Sequence, residues 1–173
     1  MVSADPPSSL HTVQQIGEFV SLPTAKEQNH GKVQSFQEIA ASQDKVWAVI
    51  SDPSRFEEWL SVHTKWKEAP PATLSQGTTM NEVLTIMGMA NTITFTVDEY
   101  NAPNSTRFSG TGMAGAKISF TLTVEAKGDD ASVATVDAEF VSQMMVGAIG
   151  GAIERATTKE LNTSLEKLAA LSV

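Results

Sequence analysis

The stretch SQMMVGAIGGAIERATTKELNTSLEKLAAL, Ser142 to Leu171, decides how the rest of the chain must fold. Val146, Ile149, Ile153, Thr157, Leu161, Leu165 and Leu168 recur at steps of three and four. That spacing predicts one mostly apolar stripe along a helix of roughly eight turns. Glu154, Lys159, Glu160, Glu166 and Lys167 occupy the other side and suit water. So long an amphipathic helix needs a matching apolar surface, and the strands before it supply one.

From Thr78 the period of the sequence is two. Met80, Glu82, Leu84 and Ile86 share one side of a strand, and Gly88 marks a turn between Met87 and Met89. Ile93, Phe95 and Val97 alternate with Thr92, Thr94 and Thr96; Ile118, Phe120, Leu122 and Val124 alternate with Ser119, Thr121 and Thr123. Ala134, Val136, Ala138 and Phe140 line a last strand. Such alternation predicts antiparallel strands with one wet face and one covered face. Short connections keep neighbours antiparallel, and helices set apart from a run of strands make the class α+β. The expected architecture is a curved antiparallel sheet of about six or seven strands gripping the C-terminal helix, with space between them.

Upstream, Lys32 to Ala40 reads as a first strand, although Val33, Phe36 and Ile39 do not alternate cleanly. Ser42 caps a helix whose buried side is Val46, Trp47, Val49 and Ile50. Asp52 and Pro53 start a second short helix with Phe56, Trp59 and Leu60 inward. Pro70, Pro71 and Gly77 bound a loop. Residues 1–31 form a separate arm, expected to be flexible. Within it Val13, Ile16, Phe19 and Val20 keep helical spacing and would make one short docking helix. The domain proper is 32–173.

Composition excludes several classes. Twenty acidic against 12 basic residues leave a net charge of −8, which opposes nucleic-acid binding by phosphate neutralisation. No apolar run reaches the roughly 18 residues of a membrane span, so no stable membrane insertion is expected. No basic stretch followed by an apolar block opens the chain, so cytoplasm is the default compartment. With no cysteine there is no disulfide or thiolate chemistry, and His11, His30 and His63 lack metal-ligand spacing. The glycines at 110, 112 and 115 lead into a strand rather than a helix, which argues against a dinucleotide site. No cofactor or metal is expected.

The segment ASQDKVWAVISDPSRFEEWL, residues 41–60, resembles the start of the SRPBCC superfamily, through Val46, Trp47, Asp52, Pro53, Phe56 and Trp59. That resemblance implies the helix-grip fold shared by START lipid-binding domains, the birch-pollen allergen and polyketide cyclase/dehydrase-like proteins, from about Lys32 to the end. EWLSVHTKWKEAPPATLSQGT, GMANTITFTVDEYNAP and GTGMAGAKISFTLTV are similar to an actinobacterial polyketide-cyclase-like subgroup, some of whose members are named toxins of type II toxin–antitoxin pairs. Trp59, Leu60, His63, Trp66, Gly77, Gly88, Met89, Asn91, Gly110, Gly112 and Gly115 carry that similarity. It implies an antitoxin protein as a partner.

The leading functional reading is a non-enzymatic binder of a hydrophobic or amphipathic small molecule, lipid or polyketide-like, in an internal cavity. Its expected walls are Trp59, Trp66, Leu84, Phe95, Phe108, Phe120, Met145, Ile149 and Ile153, with Met144 and Met145 as adaptable apolar material. The alternative is a cyclase or dehydratase, for which the acid–base candidates are Glu82, His63 and Arg107. Glu82 is buried if its strand face turns inward and solvated if the strand carries a bulge. His63 sits at a cavity mouth or on the surface. Arg107 meets Glu82 or an anionic head group, or points outward. Gly147, Gly150 and Gly151 either make room beneath the long helix, kink it, or fray its start.

Overall fold

The computed structural model describes residues 29–173; the arm's apolar residues Val13, Ile16, Phe19 and Val20 lie outside that range. Seven strands form one antiparallel sheet: β1 His30–Ile39, β2 His63–Trp66, β3 Thr79–Ile86, β4 Met89–Asn101, β5 Ser105–Thr111, β6 Lys117–Ala126 and β7 Ser132–Val141. Their spatial order is β1-β7-β6-β5-β4-β3-β2. Two short helices, α1 Gln43–Ile50 and α2 Phe56–Trp59, follow β1, and the long helix α3 Gly147–Ser172 closes the chain. α3 packs on β1 at one edge of the sheet and also reaches β3, next to the other edge. A flat sheet of this width cannot touch one helix at both ends, so the sheet curls around it.

The period-two pattern accounts for the core. Ile93, Phe95 and Val97 are buried on β4 while Thr92 and Thr94 are exposed. Ile118, Phe120, Leu122 and Val124 face inward on β6, opposite Ala134, Val136, Ala138 and Phe140 on β7. Phe95, Phe108 and Phe120 meet across three strands at centroid separations of 5.4 to 6.1 Å, within the range of favourable ring pairs.

Ser42 caps α1, whereas Asp52 caps the 3-10 turn Pro53–Arg55 that leads into α2, which has no side-chain cap of its own. Ser42 Oγ accepts from the Lys45 amide, and Asp52 Oδ1 accepts from the Ser54 amide at 3.0 Å just before Pro53. α1 covers one end of the curl, where Gln43 donates to the Val124 carbonyl at 2.7 Å. α2 is fastened to α3 by Ser61, whose amide donates to Ser164 Oγ at 2.9 Å and whose hydroxyl donates to the Glu160 carbonyl at 2.8 Å.

Three details differ from the sequence-based expectation. β1 begins at His30 rather than Lys32, and its inner face carries Val33, Ser35 and Ile39 while Phe36 is 71% exposed. Its polar inward Ser35 is what blurred the alternation. β2 was not expected, because its four residues HTKW contain no apolar alternation; hydrogen bonding to β3 alone defines it. The long helix starts at Gly147, and its buried stripe runs from Thr157 to Ser172. Val146 and Ile149, assigned to the stripe by spacing, are 42% and 58% exposed because the first helical turn projects past the sheet. At that turn Gly150 has a definite use: a Cβ there would lie 3.0 Å from the Met145 backbone, so glycine lets the preceding loop fold back on the helix without a shift.

Candidate functional site: an apolar cavity with a Met-rich mouth

The β3–β4 turn, the loop between β5 and β6, and the link from β7 to α3 all lie at one end of the sheet. Between them opens a cavity of about 330 Å³, at the lower end of the range for small-molecule sites. Leu84, Ile86 and Ile93 line it from the sheet, Ile118 and Phe140 from the adjoining strands, and Met145 and Ile153 from the α3 side. Met89, Met113 and Met144 stand around the opening, 47%, 63% and 48% exposed. Polar groups at the mouth are few: Asn91, Ser142, Gln143 and Lys117. Asn91 is already committed, since its Oδ1 accepts from the Met113 amide at 3.0 Å and holds the β5–β6 loop over the opening. Gly112 leaves room for this contact: a Cβ there would lie 2.7 Å from that same oxygen, so the Asn91 side chain would have to move.

The sequence-derived wall residues divide into three groups. Leu84, Met145 and Ile153 line the cavity. Phe95, Phe108, Phe120 and Trp59 are 3% exposed or less and fill the core behind it, while Trp66 is half-buried against Phe56 at 5.6 Å. Ile149 sits outside, on the projecting turn. Periodicity identified which residues face inward. It did not locate where facing side chains fail to meet, because that depends on how far the sheet curls. Met89 and Met113 lie at strand ends and in loops, where periodicity carries no signal; the clustering of Met87, Met89, Met113, Met144 and Met145 near turns was the clue present in the chain.

The acid–base candidates are also sorted by the fold. Glu82 faces inward, and its strand carries no bulge against β4. His63, on β2, reaches it: His63 Nδ1 lies 2.5 Å from Glu82 Oε1, with the side chains 2% and 1% exposed. His63 is thus neither at the mouth nor on the surface, and its ring lies 5.0 Å from that of Trp66, tilted by 51°. Burial pushes the Glu82 carboxyl above its ordinary range, opposed by the hydrogen bond and charge of His63. Arg107 does not join them. It points to the outer face of the sheet beside Asp98, with Nε 3.9 Å from Oδ2, because its neighbours Thr106 and Phe108 take the inward positions.

The buried pair lies one step inward from the cavity. Leu84 lines the cavity, and Glu82 is the next residue on the same strand face. Ile153 lines it, and Thr157 is one helical turn deeper, 1% exposed, with no partner for its hydroxyl among the described residues. Trp59 Nε1 is likewise buried without a partner among the described residues. These buried polar groups lie behind the apolar lining and do not themselves border the cavity. Among the described residues no group of acidic or histidine side chains is arranged to hold a metal ion, and no helix is long and apolar enough to cross a membrane.

Residues 30–173 match the family described as polyketide cyclase / dehydrase and lipid transport. The chain is 28% identical to a protein named toxin Rv0910 of Mycobacterium tuberculosis over 71% of this chain and 85% of that one. It is 30% identical to an uncharacterized M. tuberculosis protein, Rv1546, over 78% and 93% of the two chains. Among solved structures it resembles the Zhui aromatase/cyclase from Streptomyces sp. R1128, with a TM-score of 0.66 at 15% identity over 83% of this chain and 93% of that one; at that identity the likeness is one of fold.

Proposed function

The chain belongs to the polyketide cyclase/dehydrase and lipid transport family, and from that premise we propose that it binds a hydrophobic or amphipathic small molecule, lipid or polyketide-like, in the cavity under α3. The observation that carries this reading is the open, mostly apolar space of about 330 Å³ between the sheet and α3. Apolar contact with Leu84, Ile93, Phe140 and Ile153 supplies the affinity, at roughly 25 cal/mol for each Å² removed from water. Lys117 is the one formally charged residue at the lining among the described residues and favours a ligand whose exposed end is anionic or strongly polar. The test is a panel of fatty acids and aromatic polyketides scored by native mass spectrometry and by Tm. A ligand that binds only the folded protein at 100 times its Kd adds about 2.7 kcal/mol. Ile153→Trp, which fills the cavity from the helix side, should abolish both signals while the apo Tm stays within a few degrees. Binding that survives Ile153→Trp overturns the reading.

A second reading, proton transfer to or from the bound molecule, is favoured by the buried Glu82–His63 pair. A carboxyl raised by burial and linked to an imidazole is suited to general acid–base work. It requires the ligand to reach past Leu84, so turnover of a bound polyketide that disappears in Glu82→Gln while binding persists would establish it. The name of the Rv0910 relative supports a third reading, a toxin with an antitoxin partner. Growth arrest on expression, relieved by a co-expressed partner protein, is its test; harmless expression removes it.

A further inference from the structure

Each of the three segments around the mouth of the cavity brings a methionine to it. Met89 opens β4, Met113 lies in the β5–β6 loop, and Met144 lies in the link from β7 to α3. They are 47%, 63% and 48% exposed, whereas Met80 and Met145 are 3% and 4% exposed. Methionine is among the residue types most often buried, so three half-exposed thioethers converging from separate segments call for a use. With no cysteine in the chain, thioethers are its only sulfur. A thioether reacts with a peroxide only where the peroxide can reach its lone pair. The sulfurs at the mouth are therefore open to attack, and those of Met80 and Met145 are shielded.

We propose that Met89, Met113 and Met144 form an oxidation site that closes the mouth to apolar ligands. The reagent is a two-electron oxygen donor such as hydrogen peroxide. The sulfur lone pair attacks one peroxide oxygen, the O–O bond breaks and an S–O bond forms; proton transfer then leaves a sulfoxide and one water. Sulfur loses two electrons and the peroxide gains them. The sulfoxide oxygen is a strong acceptor, well solvated while the mouth is open to water. An apolar guest strips that water, and the mouth has little to replace it. Of its four polar lining residues among those described, Asn91 Oδ1 is tied to the Met113 amide and Ser142 Oγ accepts from the Met144 amide at 3.2 Å, which leaves Gln143 and Lys117. A polar group covered without a partner is disfavoured, so the guest is released. The loss of affinity rests on the cavity's holding an apolar guest; the reactivity of the sulfurs does not.

The test treats the full chain with hydrogen peroxide and locates the added oxygen by fragment mass spectrometry. Met89, Met113 and Met144 should be oxidised at least about tenfold faster than Met80 and Met145, and the neighbours Met144 and Met145 make that comparison within one stretch of chain. The apolar probe anilinonaphthalene sulfonate should then bind about tenfold more weakly, equivalent to about 1.4 kcal/mol, while Tm stays within a few degrees. In Met89→Leu/Met113→Leu/Met144→Leu, whose rim carries no sulfur to oxidise, the probe's Kd should be the same before and after peroxide. Oxidation of all five methionines at one rate overturns the proposal. So does a Leu variant that peroxide weakens as much as it weakens the parent. A probe that fails to bind the untreated protein defeats the cavity reading together with this one; binding to the parent that peroxide leaves unaltered defeats the oxidation site alone.

Discussion

In the filled half of the curl, Trp47, Phe56 and Trp59 of α1 and α2 are each 7% exposed or less, and Phe56 packs edge-on against Trp59 at 5.7 Å. At the mouth, Met89, Met113 and Met144 remain about half exposed around an empty space. The same sheet and the same helix border both halves. The difference lies in the segments that join them: capped helices with aromatic inward faces on one side, and glycine- and methionine-bearing turns on the other. Rigid rings fill a volume in one way and contribute to stability, whereas unbranched thioethers adapt to whatever enters. Stability and function are thus expected to be governed from different halves.

The largest effect expected from that contrast is at Trp59. Trp59→Ala should cost about 3–5 kcal/mol in denaturant unfolding, since it empties a packed site that α3 and β2 cannot collapse to fill. A loss below 1 kcal/mol would mean that the filled half is not filled. Gly110→Ala comes next, at about 1–3 kcal/mol, because its Cβ would lie 2.5 Å from the Thr94 carbonyl oxygen and 2.6 Å from Ile93 Cγ2 across the β4–β5 pair.

At the boundary between the halves, the Glu82–His63 pair makes a prediction about pH. The Glu82 carboxyl is raised in the folded state by burial, so folding favours its protonated form. Its contribution to stability is complete below the unfolded value and is lost as pH rises through the folded one. Glu82→Gln removes that titration. The stability of the variant relative to the parent should therefore increase as pH climbs from about 4, by about 1.4 kcal/mol for each unit the carboxyl is raised. A difference that does not change with pH, in paired urea titrations at pH 4 and pH 7, would refute it. The smallest expected effect is at the rim. Met144→Ser should change stability by no more than about 0.5 kcal/mol, yet weaken capture of apolar probes by the mouth.

Most of the architecture was legible because it depends on periodicity. Threonines alternating with Ile93, Phe95 and Val97 required a two-faced strand, and the stripe through Leu161, Leu165 and Leu168 required a helix buried on one side. Asp52-Pro53 announced a helix start through local chemistry alone. Less of the site was legible. Glu82 was placed on the correct strand face, but its partner His63 lies on β2, a strand recognisable only from its pairing with β3.

The sequence by itself determined which side of each element is apolar, since that property is carried residue by residue and repeats with the backbone's own period. Tertiary structure decided where apolar sides meet and where they leave a gap. That outcome depends on the curl of seven strands and on the point at which α3 leaves the sheet, both set by contacts between residues far apart in the chain. Ile149 and Ile153 illustrate it: one turn apart on the same helix and identical in chemistry, one projects beyond the last strand into water and the other lines the cavity.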